Sequence, residues 1–573
     1  MRSAGKLIIG SIFLVILCAC PEPPGFTDLK EAYIREWVKF YPSQAFASGD
    51  KASAFRFEDF SEGNIDDWIR YNRLTVNTSQ ILTDFTVEDD ADYQLLLKQA
   101  QQELDLWEID PAYVNSPAFY AGLISQSMTH ILVREDFSPE EKYEAVIARL
   151  AGMVELCDHA RFYLKNGRPM STKGAVVTLK SSADFLENQL PQIAGAWTSD
   201  PAIVKLAGAQ TAQKIKELAT YIEIELLPDV SRTDTLGKSE YERKLKAYVH
   251  RDLKPRDLAA DAAAEMERVL EMMKEQALAW WQETRSGEAV PEDVVSAAME
   301  AMEADRLNNS ADFLASFTRL TAEIETFIRE KDLATLASQQ TLFIDLSPPH
   351  FSGAAVGGVY PAGPFNPNAR TLFYLPSISD DAPQEARDGF YRSFNNHFNA
   401  MIIAHEMIPG HYHQFKVAVN NARLVRSLFA DGSYVEGWGT FCEELALDAG
   451  WMNGNRLTRL AHLRKRMENA VRAYVSVMVH CEGWDQETLA AFAVEKGKLP
   501  PQFATNLWSR VMNSPMQITT YYLGSRGFRE LYQAEQDRLG SNFKLRDFCD
   551  NILKAGAVPI HKLPQLLQLS SKP

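Results

Sequence analysis

From Leu29 to about Glu330 the chain repeats apolar residues every three or four positions, with charged faces between them. Tyr93–Ile109, Glu140–Lys165, Ala202–Leu227 and Ala259–Thr284 each carry this pattern, which is that of an amphipathic helix burying one stripe. Pro201, Pro228, Pro255 and Pro291 stand at the breaks. A chain of this kind can only pack helix upon helix. No fixed-period repeat and no low-complexity linker compels a cut into independent domains. The division expected is a helical lobe over residues 29–335 and a second lobe over 336–573.

The character changes at the start of that second lobe. Thr341–Leu346 and Thr371–Leu375 are short runs rich in strand formers, separated by Gly- and Pro-heavy segments around Gly357 and Pro361–Pro367. They predict a small sheet. Phe390, Phe394, Phe398 and Ile402 then mark a helix that arrives at His405-Glu406-Met407-Ile408-Pro409-Gly410-His411.

His-Glu on a helix, a second His shortly after and a further Glu, here Glu436, are the ingredients of a zinc hydrolase. Two neutral imidazoles and a carboxylate hold Zn²⁺ and leave its fourth position to water. The Glu beside the first His takes the proton from that water. The spacing departs from His-Glu-x-x-His, in which the two histidines share a helix face. Position i+4 is Pro409, and His411 lies at i+6, roughly 240° around a straight helix from His405. Pro409 breaks the backbone bonding and Gly410 tolerates unusual dihedrals, so the helix can stop and swing His411 back. His413, also just past the break, is a rival ligand. His397, two turns before His405, reads as a packed histidine.

His405-Glu406-x-x-Pro409-Gly410-His411 with Gln414, followed by Glu436-Gly437-Trp438, resembles the large bacterial family catalogued as domain of unknown function 885, grouped with zincin-type metallopeptidases. The resemblance implies a mainly α, multi-helical, gluzincin-like fold with a small β-sheet beside the metal-site helix. It implies His405, His411 and Glu436 as ligands of one Zn²⁺ and Glu406 as catalytic base, with the lobe over 336–573 catalytic. Such folds carry a sheet whose edge strand pairs with an extended peptide; an open edge offers unpaired N–H and C=O groups to that partner. A plain structural hairpin is the alternative.

Three further places match the family's pattern in part. Glu443, seven residues after Glu436, either receives the second N–H of a ligand histidine or lies on the surface. Arg472 and His480 match an Arg–Asp–His series whose Asp position is Ser476 here, which implies His480 as a donor to the oxyanion or to a substrate carboxylate. In Ser514–Gly524, Gln517, Tyr521 and Gly524 match and Met516 replaces a Gly; Tyr521 is the implied oxyanion donor, with Tyr522 turned to the core. Arg526 is placed to clasp a peptide carboxylate in bidentate fashion.

The start of the chain is a separate signal. Arg2 and Lys6 precede an apolar run from Leu7 to Leu17 and the ending Leu17-Cys18-Ala19-Cys20. A basic start and short apolar core describe a secretory leader, 1–19, too short for a membrane span. The ending resembles a bacterial lipobox, implying cleavage before Cys20, acylation of its thiol and a tether over 20–28. Each buried lipid CH₂ contributes about 0.8 kcal/mol, so several acyl chains anchor firmly. Pro21 in place of Asp resembles outer-membrane sorting, facing the periplasm of a Gram-negative cell. No other stretch is apolar enough to cross a bilayer. A net charge of −17 argues against nucleic acid and anionic membrane surfaces as partners. Cys157, Cys442, Cys481 and Cys549 lack C-x-x-C spacing and are too few for a disulfide scaffold.

The sequence therefore reads as a lipid-anchored, helical, zinc-dependent hydrolase acting on peptides. The alternatives are a lipoprotein that binds peptides or envelope components without turnover, and an amide or ester hydrolase of a non-peptide substrate.

Overall fold

The computed structural model describes residues 25–570 except 80–81, 83–84, 199–200, 250–251, 338–341 and 348–357. The leader, Cys20 and the expected tether up to residue 24 lie outside the described residues, as does Thr341 at the head of the first expected strand.

The four expected helices form, with shifted ends. Helix α1 (Val87–Leu104) runs on through a wider turn at Asp105–Ile109, and the others span Pro139–Tyr163, Pro201–Tyr221 and α2 (Pro255–Thr284). Pro139, Pro201 and Pro255 open their helices. Their missing N–H falls where a helix has no partner for it, so proline marks the start more sharply than apolar spacing does. Ser138 and Glu141 close a reciprocal cap on the second of these helices.

Buried apolar side chains fall into two large clusters. The first is built from residues 29–226 and centres on Tyr33, Trp37, Trp68, Trp107 and Leu150. At its heart the Glu103 carboxylate accepts from Trp68 Nε1 at 2.9 Å, from Trp107 Nε1 at 3.1 Å and from the Tyr41 hydroxyl. The second takes in nearly everything from Tyr241 onward. The helices between 238 and 330 thus share the core of the later half, and the packing divides near residue 230 rather than at the expected 335. Those helices are amphipathic whichever core they join, so periodicity cannot place the boundary. Helix α2 lies along a later helix, and its buried Glu265 explains the tight fit. Glu265 binds Arg466 at 2.6 Å, Arg529 at 3.3 Å and Arg268 at 2.8 Å. Burial pushes this carboxyl up, but the arginines, Arg466 foremost, bring it down to about 2.

The two cores are joined by buried ion pairs on α1. Asp92 binds Arg426 at 2.6 Å, Lys30 at 2.9 Å and Arg423 at 3.0 Å, and Lys98 binds Asp431 at 3.0 Å. Val425 and Phe429 insert into the first core from the later chain.

The sheet has three strands, β1 (Leu342–Leu346), β2 (Gly358–Tyr360) and β3 (Thr371–Leu375), in the order β1-β3-β2. β1 pairs with β3 in parallel, Leu342 opposite Thr371, and β2 pairs with β3 antiparallel. The two expected runs are therefore no hairpin, and β3 is the buried centre strand. The edges belong to β1 and β2, and Gly358-Val359-Tyr360 is too short to signal a strand in sequence. Among the described residues no helix is long and apolar enough to cross a membrane, and Cys157, Cys442, Cys481 and Cys549 are all unpaired.

Candidate metal centre

Four helices deliver the site. Helix α3 (Asn396–Glu406) begins at Asn395, whose side chain accepts from the Phe398 N–H, and ends on His405 and Glu406. The chain breaks at Met407, crosses a cis Ile408–Pro409 bond and restarts as α4 (His411–Asn421). Gly410 is required at the break. A Cβ there would lie 1.8 Å from the His405 carbonyl oxygen and 2.4 Å from that of Ala404. Only a glycine lets the new helix start so close to the end of the old one. The result returns His411 to His405, with ring centres 4.7 Å apart and planes near perpendicular.

Helix α5 (Gly432–Asp448) supplies the carboxylate. It is capped by Asp431, which accepts from the Tyr434 N–H. The Glu436-Gly437-Trp438 triplet now has a physical reason at each place. Glu436 Oε2 lies 3.5 Å from His411 Nε2 and 3.9 Å from His405 Nε2. Gly437 is pressed against the backbone of Gly524, 2.4 Å from where its Cβ would be. Trp438 donates its indole N–H to the Pro409 carbonyl at 2.9 Å, pinning the break onto α5. Gly439 leaves the space that the His405 ring fills, a Cβ there lying 2.9–3.0 Å from ring atoms.

One ligand atom from each of His405, His411 and Glu436 falls within 4.8 Å of the others, the one such group among the described residues. The outer nitrogens are held in turn. His405 Nδ1 meets the Glu443 carboxylate at 2.9 Å, and His411 Nδ1 meets the Gln414 amide oxygen at 3.3 Å. Both Nδ1 atoms must carry the proton to donate there, so each Nε2, the nitrogen facing Glu436, is the one that can offer a lone pair once its own proton is gone. In the metal-free centre burial lowers His405 to about 4. Burial also lowers His411, but the hydrogen bond and charge of Glu436 reverse it, up to about 9, while Glu436 falls to about 2. A proton between His411 and Glu436 thus occupies the place a cation suits. Two imidazole nitrogens and one carboxylate oxygen, with oriented Nδ1 atoms, fit Zn²⁺ with one position left over.

Glu406 is half-buried beside His405, and its charge acts on both histidines. Tyr521 sits on α7 (Gln517–Leu539), after α6 (Arg456–Glu482) in the chain. Its hydroxyl accepts from Gln517 Nε2 at 3.0 Å, leaving its own proton free to donate. Burial and then the Glu436 charge raise the phenol, so it stays protonated. Arg472 of α6 lies over the Tyr521 ring at 5.2 Å. Tyr522 is turned to the core.

Other expected residues go elsewhere. His413 points away: its Nε2 bonds the Thr335 carbonyl at 3.0 Å. His397 packs between Asp305 and Thr458, at 3.1 Å from each. His480 is corrected as an oxyanion donor. Its Nδ1 accepts from the Leu236 N–H and its Nε2 donates to the Val511 carbonyl, at 3.1 and 3.0 Å, so no N–H remains to offer. Ser476, standing in the family's Asp position, links the Tyr241 hydroxyl to the Pro515 carbonyl instead. Arg526 is likewise corrected as a carboxylate clasp, since Asp261 and Glu530 already hold its guanidinium. Glu443 is no surface residue; it is wholly buried between His405 and a histidine the sequence did not single out, His462, at 3.0 Å.

The sequence pattern described as "bacterial protein of unknown function (DUF885)" matches residues 42–567. The chain belongs to this family. The match spans the whole centre, from α3 to Tyr521, the second core, and the first core from residue 42 on. No curated protein matches the chain. Two solved structures share the fold. A candidate lipoprotein of unknown function from Shewanella oneidensis is 20% identical, with a TM-score of 0.79 over 95% of this chain and all of that one. A candidate lipoprotein from Colwellia psychrerythraea is 17% identical, with a TM-score of 0.76 over 96% of this chain and 99% of that one. The DUF885 description carries no activity, so the chemistry rests on the geometry of the centre itself.

Proposed function

We propose that this chain is a zinc-dependent hydrolase of the zincin-like, gluzincin type, acting on peptides. One observation carries the reading: the Nε2 atoms of His405 and His411 converge on Glu436 while both Nδ1 atoms are held from behind. Structural metal sites close all four positions with protein ligands; three ligands is the number found where water takes the fourth. Zn²⁺, when bound, supplies a Lewis acid that polarises the scissile carbonyl and brings the pKa of water towards neutrality. Glu406 accepts the proton of the attacking water and returns it to the leaving amine. Tyr521, with Gln517 donating to its oxygen, offers its proton to the developing oxyanion.

The lipobox-like ending at Cys20 and the candidate lipoproteins that share the fold support a lipid-anchored place in the cell envelope, the outer membrane being the sorting that Pro21 favours. The anchor sets where the enzyme works; it takes no part in the chemistry.

The test is metal content of the protein from Pro21 onward, for wild type beside His405→Ala, His411→Ala, Glu436→Ala and His413→Ala. About one zinc per chain is expected, lost in the first three and kept in the last. Peptide turnover should vanish in Glu406→Gln with zinc retained. No zinc in the wild type after add-back overturns the reading and leaves a binding protein on this fold.

A further inference from the structure

Helix α6 passes the metal centre with one stripe turned towards it: His462, Lys465, Glu468, Asn469 and Arg472, spaced at three and four. The lower end of the stripe holds His405 through Glu443. The upper end lies against Tyr521, with Lys465 Nζ 5.9 Å and Arg472 Cζ 5.2 Å from its ring centre. Arg510, exposed on the Pro501–Asn513 helix, joins them by donating to Gln517, the residue that bonds the Tyr521 hydroxyl.

These charges do not balance. Lys465 and Arg472 share one carboxylate, Glu468, with Lys465 at 3.5 Å. Neighbouring Arg464 is satisfied by Glu303 at 2.8 Å. Arg510 has no carboxylate partner among the described residues, and the buried Nε of Arg472 has no hydrogen-bond partner there. Glu468 is the one carboxylate these three cations touch directly among the described residues, with Glu443 and Glu436 acting on Lys465 from farther off, in a chain whose net charge is −17. A buried guanidinium with an N–H left unpartnered, as Arg472 has, is costly unless something completes it.

Gln517 also lines a cleft of about 1600 Å³ that reaches past Tyr248 to Tyr360 of β2 and to Ser125 and Ser171 of the first core. Most charged side chains along that cleft have a partner of opposite sign. Arg168 pairs with Glu240, Arg232 with Asp110, and Lys244 with Asp105, at 2.8–3.2 Å. Lys180, paired with Glu223 at 2.7 Å, and Asp184, which accepts from Asn188, also line it, among uncharged side chains such as Ala121, Val177 and Met516. The cleft comes up to Gln517, which bonds the Tyr521 hydroxyl and accepts from Arg510.

We propose that Lys465, Arg472 and Arg510 form a carboxylate-binding subsite, and that the substrates are peptides presenting a carboxylate close to the bond cleaved. The inference rests on the hydrolase reading and names its substrate class. The carboxylate comes from the peptide C-terminus or from an Asp or Glu side chain.

The experiment uses Glu406→Gln protein, so that binding is read without turnover. Three peptides of one neutral sequence are compared by calorimetry: the free acid, its C-terminal amide, and the amide with one residue changed to Glu. A carboxylate-bearing peptide is expected to bind at least about 30-fold more tightly than the neutral amide. Arg472→Met and Arg510→Gln, each added to that protein, should cut the preference to a few-fold. Arg510 is exposed, so its replacement does not threaten the fold. Whether the free acid or the Glu-bearing amide binds tightly identifies the source of the carboxylate. Equal binding of all three peptides, or a preference that survives both substitutions, overturns the subsite. Wild-type enzyme that holds zinc and cuts all three peptides alike also overturns the subsite but leaves the hydrolase reading intact, whereas absence of zinc overturns that reading itself.

Discussion

His405 Nδ1 lies 2.9 Å from Glu443 Oε1, and the other oxygen of the same carboxylate lies 3.0 Å from His462 Nδ1. One buried carboxyl group thus orients His405 and is itself anchored by a second histidine on a different helix. Burial pushes the Glu443 carboxyl up, and the hydrogen bond and charge of His462 partly restore it. A carboxylate behind a ligand imidazole fixes its tautomer and strengthens it as a donor to the metal.

Glu443→Gln keeps the shape and removes the charge. Zinc affinity is expected to fall by about 10–100-fold, measured by competition with a chromophoric chelator. His462→Ala should act in the same direction by freeing the carboxylate to move. An unchanged zinc Kd in Glu443→Gln would show that His405 is held by its packing alone.

Helices α5 and α7 meet backbone to backbone. A Cβ on Gly524 would lie 1.9 Å from the Ser433 carbonyl oxygen and 2.7 Å from the Gly437 Cα. Gly437 follows Glu436, and Tyr521 lies one turn before Gly524, so this crossing sets the reach of Tyr521 towards the His405–His411–Glu436 cluster. Gly524→Ala forces the helices apart and should cost about 2–3 kcal/mol in urea unfolding, within the range for overpacked cores. The same substitution should lower turnover more than zinc content, because Tyr521 moves while His405 and His411 keep their places. A variant with an unchanged unfolding midpoint would contradict the close crossing.

The long helices and the gathering of His405, His411 and Glu436 were legible because each depends on local pattern: apolar spacing for the helices, residue types within a few positions for the cluster. What failed to show depends on partners distant in sequence. His480 sits on the anticipated helix, yet its role is fixed by Leu236 and Val511, which periodicity cannot place. Arg526 faces Asp261 for the same reason. The choice between His411 and His413 turned on how the chain leaves Pro409-Gly410, and spacing allowed either. His462 was visible only as a histidine in a helical run; its signal is the second oxygen of Glu443, which exists only once α5 and α6 are packed. β1 and β3 were read as strands from composition, but nothing in a five-residue run states that its neighbour is parallel.

Zinc uptake should release a proton. In the metal-free centre His411 is raised to about 9 by Glu436, His405 is lowered to about 4, and Glu436 is held at about 2. At pH 7 His411 is therefore protonated, His405 neutral and Glu436 charged. The raised His411 stabilises the metal-free fold fully below its unfolded pKa near 6.5, and that contribution fades as pH rises through about 9. Zinc affinity runs the opposite way, since the metal must displace the proton that Glu436 favours. It should rise about tenfold per pH unit between roughly pH 5 and 9 and then level off. Calorimetric zinc titrations at pH 7, in two buffers of different ionisation enthalpy, count the protons directly. About one proton per zinc is expected for wild type. Glu436→Gln removes the charge that raises His411, so its weaker zinc binding should release far less than one proton at the same pH. A wild-type count near zero would mean that His411 is already neutral before the metal arrives.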